Sequence, residues 1–270
     1  MLVDSHCHIQ DEQFDADREE ALARARQAGV RAFVVVGWDL ESSRRAVALA
    51  DEHSDVYAVI GVHPHFANTW GRRTRRSLYR LGHSSKVVAV GETGLDFYRN
   101  LSPPEAQRRA FREQLELAAE LRRPVVVHSR QAEEETLAIV SAYEREMLGL
   151  WPKDRPLGQM HCFSGDIALA LQYVQMGFLV SIAATCTYPN GEKVRSVAAG
   201  VPLRWLTVET DAPYLPPQSR RGQRNEPAYL METVEAIARL RGESQERVSS
   251  GTALAAAWLF GLGDLGEESR

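Results

Sequence analysis

Six of the eight histidines in this chain of 270 residues stand directly after short apolar runs: His6 and His8, His63 and His65, His128, and His161. His6 and His8 are two apart in an extended segment, so their rings share one side while Cys7 points to the other. Two imidazoles on one face can grip one metal ion. Such a pair carries little weight alone, and His128 or His161 taken singly reads equally well as a buried structural histidine. Two acids change the balance: Glu92 follows the run 87–91, and Asp211 follows the run 206–210. An ionised carboxylate at the end of an apolar strand is costly unless it is paired or bound to a cation. Imidazole nitrogens with carboxylate oxygens suit Zn, Mn and similar divalent ions. Four histidines and two acids exceed what one catalytic ion with an open position takes. Two ions sharing a carboxylate match the set. Lys86, Lys153 and Lys193 all lie away from strand ends, which leaves Glu92 as the bridging group. Two dications facing two carboxylates and a hydroxide leave a net positive centre, attractive to an anion such as a phosphodiester.

The elements that must position these groups alternate regularly. Apolar, β-branched runs recur at 2–4, 31–37, 56–61, 87–91, 124–127, 158–160, 178–182 and 205–208. Helical patterning fills 17–28, 41–53, 74–81, 103–122, 133–148, 166–176 and 191–199, and two more helices are expected near 226–241 and 245–260. Ser102, Pro103 and Glu105 form the pattern of a capping box with proline at the first helical position. Gly29 and Gly177 stand where helices must end in a left-handed turn. Eight strands, each followed by a helix and most apolar on both faces, predict an α/β fold: a (β/α)8 TIM barrel with an additional C-terminal helix, one domain over 1–270. In that fold catalytic groups come from the C-terminal ends of strands, where the six histidines fall.

Composition narrows the class. With 44% hydrophobic and 25% charged residues, the chain lies in the ordinary globular range, and its longest apolar runs, such as 253–260, fall far short of a membrane span. The N-terminus lacks the pattern of a secretory signal, so a cytoplasmic, non-membrane protein is expected. Cys7, Cys162 and Cys186 are too few and scattered for a disulfide framework and are expected as small buried thiols. A net charge of −4 excludes a broad basic nucleic-acid footprint, so any polyanion must be held locally.

Asp4-Ser-His-Cys-His8, Gly61-Val-His-Pro-His65, Gly91-Glu-Thr-Gly-Leu-Asp96, Val127-His-Ser-Arg130, His161-Cys-Phe-Ser-Gly165, Glu209-Thr-Asp-Ala-Pro-Tyr-Leu215 and Arg221-Gly-Gln-Arg-Asn-Glu-Pro227 together resemble the TatD family of metal-dependent deoxyribonucleases. The resemblance implies an amidohydrolase-like barrel that hydrolyses DNA, often as an exonuclease. It assigns one divalent ion to His6, His8, Glu92 and Asp211 and the second to Glu92, His128 and His161, with Zn, Mg or Mn as candidates. Glu92 and Asp211 are then the catalytic acids, the nucleophile is a water between the ions, and Asp211 accepts its proton. His63, His65 and Arg130 are expected to hold phosphate oxygens or to support the ligands. Arg221 and Arg224, with Arg220, are expected to contact phosphate from the loop after the eighth strand. The expected partner is a DNA end or a short single-stranded stretch, met by a monomer. Phe97, Phe163 and Tyr214 are the stacking candidates, with core packing an equal alternative for Phe163, while the arginines at 72, 73, 75, 76 and 80 read as a solvated helix face. Thr93, Phe97, Gln131 and the stretch 183–185 depart from the family pattern without removing a ligand. A hydrolase of small esters, amides or lactams would use nearly the same ions, and a non-catalytic binding protein would need none.

Overall fold

The computed structural model describes residues 1–263. Eight strands alternate with helices: β1 (Leu2–Cys7), α1 (Arg18–Gln27), β2 (Val30–Val36), α2 (Leu40–Glu52), β3 (Val56–Ile60), α3 (Arg72–Leu81), β4 (Val87–Asp96), α4 (Pro104–Leu121), β5 (Val125–Arg130), α5 (Glu133–Met147), β6 (Gly158–Met160), α6 (Ile167–Gln175), β7 (Phe178–Ile182), α7 (Glu192–Gly200), β8 (Leu206–Val208), α8 (Leu230–Arg241) and α9 (Gln245–Phe260). The strands hydrogen-bond in chain order, β1 through β8, in one sheet whose characterised pairs are parallel. This connectivity is that of a (β/α)8 barrel with an extra helix, as the alternation of apolar runs predicts. Among the described residues, no helix is long and apolar enough to cross a membrane.

The chain forms two compact units. One comprises 1–35, 162–174 and the described chain from 179 onward; the other comprises 36–161 and 175–178. In the first, α9 packs on β1 and β8, and the ends of these strands are joined by His8 N–H to Ala212 O at 2.7 Å and Asp211 N–H to His6 O at 2.9 Å. In the second, all ten residues of β4 are buried, between β3 and β5.

Three strands run further than their apolar stretches, β1 reaching Cys7 through His6. β4 and β5 stay paired through Thr93↔Val127, Gly94↔His128, Leu95↔Ser129 and Asp96↔Arg130. Glu92 and His128 therefore stand within strands rather than after them, because backbone pairing continues where apolar side chains stop. The close approach needs glycine. Gly91 and Gly94 have φ of +150° and +139°, and a Cβ on Gly94 would collide with the carbonyl oxygen of His128. Gly29 and Gly177 have positive φ, as expected of helix terminators. Ser102 does not cap α4. Pro103 takes the cap position without a side-chain hydrogen bond, and the Ser102 hydroxyl instead donates to His65 O at 2.8 Å and accepts from Asn68 N–H at 3.3 Å.

Candidate metal centre

In the first unit the two imidazoles of the His-x-His segment converge. His6 Nε2 and His8 Nε2 are 3.3 Å apart, and Asp211 Oδ1 lies 3.8 Å and 3.3 Å from them. Cys7 points the other way, with its thiol 3.8 Å from Val34 O. Ligand bonds of about 2.0–2.1 Å in a tetrahedral site put neighbouring ligand atoms about 3.3 Å apart, so this donor set fits a divalent ion. Strand-end backbone holds it. Asp211 sits in the left-handed region at φ 56°, costly for a side-chain-bearing residue, and is kept there by the N–H bond to His6 O. Behind it, the buried Asp4 accepts from Thr210 N–H at 2.9 Å and Thr210 Oγ1 at 2.5 Å. Burial pushes the Asp4 carboxyl up to about 7 against those hydrogen bonds. Glu209 accepts from Cys162 N–H at 2.8 Å and from the Ser181 hydroxyl at 2.5 Å. These acids brace the strand ends.

In the second unit Glu92 Oε1 is the hub. His128 Nδ1 is 2.9 Å from it, His63 Nε2 3.5 Å and His161 Nε2 3.6 Å. His63, Glu92 and His128 form a cluster able to hold an ion. Hydrogen bonding fixes how the rings carry protons. His63 Nδ1 accepts from His65 N–H at 3.0 Å, so its proton is on Nε2, aimed at Glu92. Burial holds the His63 pKa well below the usual histidine value and keeps the ring neutral. His128 faces carboxylates on both sides, with Asp96 Oδ2 3.2 Å from Nε2. Burial opposes charge on this ring, but the hydrogen bonds to Asp96 and Glu92 outweigh it and raise its pKa. A neutral His128 with its proton on Nε2 would set a lone pair against Glu92 Oε1. A cation held by both side chains would relieve that repulsion. Burial works against charge on Asp96 as well, but bonds from His128, Arg99 N–H and His65 hold its carboxyl well below the usual carboxylate range.

The residues around these clusters take several roles. His65 donates from Nε2 to Asp96 at 2.9 Å. Arg130 lays its guanidinium 4.0 Å above the ring of Tyr98, whose side chain is 55% exposed. Arg221 lies 5.0 Å from the Tyr188 ring. Arg224 is committed elsewhere: it forms a bidentate pair with Asp17 at 2.8 Å and 2.7 Å and bonds Glu226 at 3.0 Å. Arg220 likewise pairs with Glu232 at 3.1 Å. Arg224 is thus a structural cation rather than a ready phosphate contact, because two carboxylates already occupy its fork. Phe163 is buried against Tyr173 and belongs to the core. Tyr214 is 49% exposed, its ring 6.0 Å from that of His8. Asp96 and Tyr98 escaped the reading of single residues. The signal available for them is their place in and just after the Gly-Glu-Thr-Gly-Leu-Asp segment.

Residues 3–261 match the family described as TatD related DNase. The chain belongs to that family. It is 36% identical over 260 residues to the uncharacterized metal-dependent hydrolase YabD of Bacillus subtilis, covering 96% of this chain and 99% of that protein. To the 3'-5' ssDNA/RNA exonuclease TatD of Erwinia amylovora it is 37% identical over 267 residues, covering 97% and 100%. The crystal structure of the TatD homologue YjjV from Escherichia coli matches with a TM-score of 0.88 at 32% identity, covering 96% of this chain and 98% of that one. A lactonase structure from Deinococcus radiodurans shares the fold alone, at 14% identity and a TM-score of 0.61. Within the family pattern, Thr93 has a local explanation: its hydroxyl accepts from the buried Gln114 Nε2 at 2.8 Å, and Gln114 also bonds both main-chain groups of Val62. Lys86 is spent on the carbonyls of His53, Ser54 and Val56, away from both clusters.

Proposed function

We propose that this protein is a divalent-metal-dependent hydrolase of phosphodiester bonds in DNA, acting from strand ends as an exonuclease. The observation that carries the reading is the convergence of His6 Nε2, His8 Nε2 and Asp211 Oδ1 within 3.8 Å, in a chain whose relatives include enzymes named 3'-5' ssDNA/RNA exonucleases. Two ions are proposed, one held by His6, His8, Glu92 and Asp211, the second by Glu92, His128 and His161. Bound there, divalent ions supply acidification of water and Lewis acidity toward the phosphoryl group. Asp211, partly exposed on an otherwise buried cluster, accepts the proton of the attacking water. Neutral His63 directs its Nε2 proton at Glu92 and holds that carboxylate's orientation. Arg130 and Arg221 are the side chains that orient phosphate oxygens; Arg224 is left out because its carboxylate partners hold it. Tyr98, backed by Arg130, offers an open ring face to an unpaired base, which favours single strands and frayed ends over long duplex.

The test is to incubate end-labelled single- and double-stranded DNA, and RNA, with metal-free protein reconstituted with Mg, Mn or Zn. Progressive shortening from one end of the single strand is expected. Metal-loaded protein that leaves every nucleic acid intact yet hydrolyses a lactone or small ester would shift the assignment to the small-ester hydrolases of this fold.

A further inference from the structure

We propose that Asp96 is a positioning residue of the metal centre. One of its carboxylate oxygens fixes the tautomer and direction of the His128 ring and ties His65 to it. The inference rests on the reading of His128 as a metal ligand.

Oδ2 of Asp96 accepts two hydrogen bonds, from His65 Nε2 at 2.9 Å and His128 Nε2 at 3.2 Å. Oδ1 accepts from Arg99 N–H at 2.8 Å. The residue is fully buried, so it has little freedom to trade these bonds for water. An ionised carboxylate only accepts. Both rings must therefore present N–H at Nε2, and His128 must turn Nδ1 toward Glu92 Oε1, 2.9 Å away. Without Asp96 the neutral ring could carry its proton on Nδ1 instead, which would block the nitrogen that faces the ion.

The carboxylate is itself held by a closed circuit. Asp96 N–H donates to Gln107 Oε1 at 2.8 Å, and Gln107 Nε2 donates to Asp96 O at 3.2 Å and Ser102 O at 2.8 Å. The Ser102 hydroxyl donates to His65 O at 2.8 Å, and His65 returns to Asp96 through its ring. The start of α4, the end of β4 and the His-Pro-His turn thus lock one another. This accounts for Ser102 leaving its capping position and for a glutamine buried at 107. A carboxylate behind a ligating histidine typically changes metal affinity by about 10- to 100-fold.

The test pairs ring-nitrogen NMR of His128 with zinc titration by calorimetry, in the full-length wild type and in Asp96→Asn. Zinc-loaded wild type is expected to carry the His128 proton on Nε2, and metal-free wild type at alkaline pH the same. Asp96→Asn is expected to show mixed tautomers when metal-free and zinc binding weakened about 10- to 100-fold at one of the two sites, with unchanged circular dichroism. Wild type with the proton on Nδ1 overturns the inference, and that arm stands even if the variant does not fold. Unchanged zinc affinity in a folded Asp96→Asn overturns it as well. Wild type that binds no divalent ion defeats the hydrolase reading instead, and the metal-free tautomer at alkaline pH then decides the role of Asp96 separately.

Discussion

The two candidate ligand clusters of this chain are built by different means. Around His6, His8 and Asp211, main chain does the positioning: the ends of β1 and β8 bond to each other, and the buried Asp4 grips Thr210. Around Glu92 and His128, side chains do it: His63, His65, Asp96, Gln107 and Gln114 reach in from neighbouring elements. A backbone-built site is set once the strands pair. A side-chain-built site depends on a chain of neutral amides and rings, each with a defined donor and acceptor, and is more exposed to single substitutions.

The largest effects are expected at the ligands. Glu92→Ala and Asp211→Ala should each lower hydrolysis by about 10³-fold or more. Their metal contents should differ: Glu92→Ala is expected to weaken both ions, Asp211→Ala only the one shared with His6 and His8. Elemental analysis of the purified variants reads this, and retained activity in either one would sink the two-ion assignment. Next come the supports. Gln107→Ala strands Asp96 N–H, Asp96 O and Ser102 O in the interior and is expected to cost about 2–4 kcal/mol, whereas Thr210→Val leaves chiefly Asp4 Oδ2 and Ala212 N–H unpaired and should cost about 1–3 kcal/mol. Urea denaturation of metal-free protein compares them, and a larger loss for Thr210→Val would reverse the contrast.

The same contrast governs what could be read in the sequence. The strand-helix alternation was legible because apolar period and helix signals agree along the chain; β6 and β7 fall on the expected residues, and most other boundaries within two. The larger departures are the start of α8, four residues late after the 3-10 turn Pro227–Tyr229, and three polar strand ends, of which β1 reaches Cys7 through His6. β4 continues through Glu92, Thr93 and Gly94 to Asp96, and β5 through His128 to Arg130, because pairing across Gly91 and Gly94 needs no apolar side chain. The His-x-His pair was legible since alternation along an extended segment fixes which side chains share a face. Asp96 was not, because its role lies in contacts 31 and 32 residues away in the chain. The pairing of Arg224 is hidden for a related reason: its place in a conspicuous motif says nothing of Asp17, 207 residues distant, which bonds its guanidinium.

Exposed aromatics give a smaller and more diagnostic effect. Tyr98 touches Arg130, while Tyr214 packs beside His8. Tyr98→Ala is therefore expected to raise KM for a single-stranded oligonucleotide about 5- to 10-fold with kcat changed less than about twofold, since one stacked base is lost. Tyr214→Ala should lower kcat as well, because it frees the His8 ring. Steady-state kinetics on one defined oligonucleotide separates the two; equal loss of kcat in both variants would mean that Tyr98 also leans on the reacting centre.

The smallest effect lies outside both clusters, in the ion pairs that tie α1 to the loop before α8. Arg24 and Arg224 alternate with Asp17 and Glu226, every link between 2.7 Å and 3.0 Å. Hydrogen bonds from Arg224, with burial opposing and Arg24 assisting, lower the Asp17 carboxyl to about 2. A carboxyl depressed on folding stabilises the native state fully above its unfolded pKa of about 3.9 and loses that contribution as pH falls through its folded value. Stability from Asp17 should therefore be constant at neutral pH and drain away between about pH 4 and pH 2. Asp17 is a third exposed, so screening reduces the contribution to about 1 kcal/mol. Asp17→Asn should lower the unfolding free energy at pH 7 by that amount, read from urea denaturation, and approach wild type at pH 2, with metal affinity unchanged at both clusters. A shift in metal affinity would show that the ion-pair network reaches His6 and Asp211 through the chain it anchors, and the backbone-built cluster would then share the sensitivity of the other.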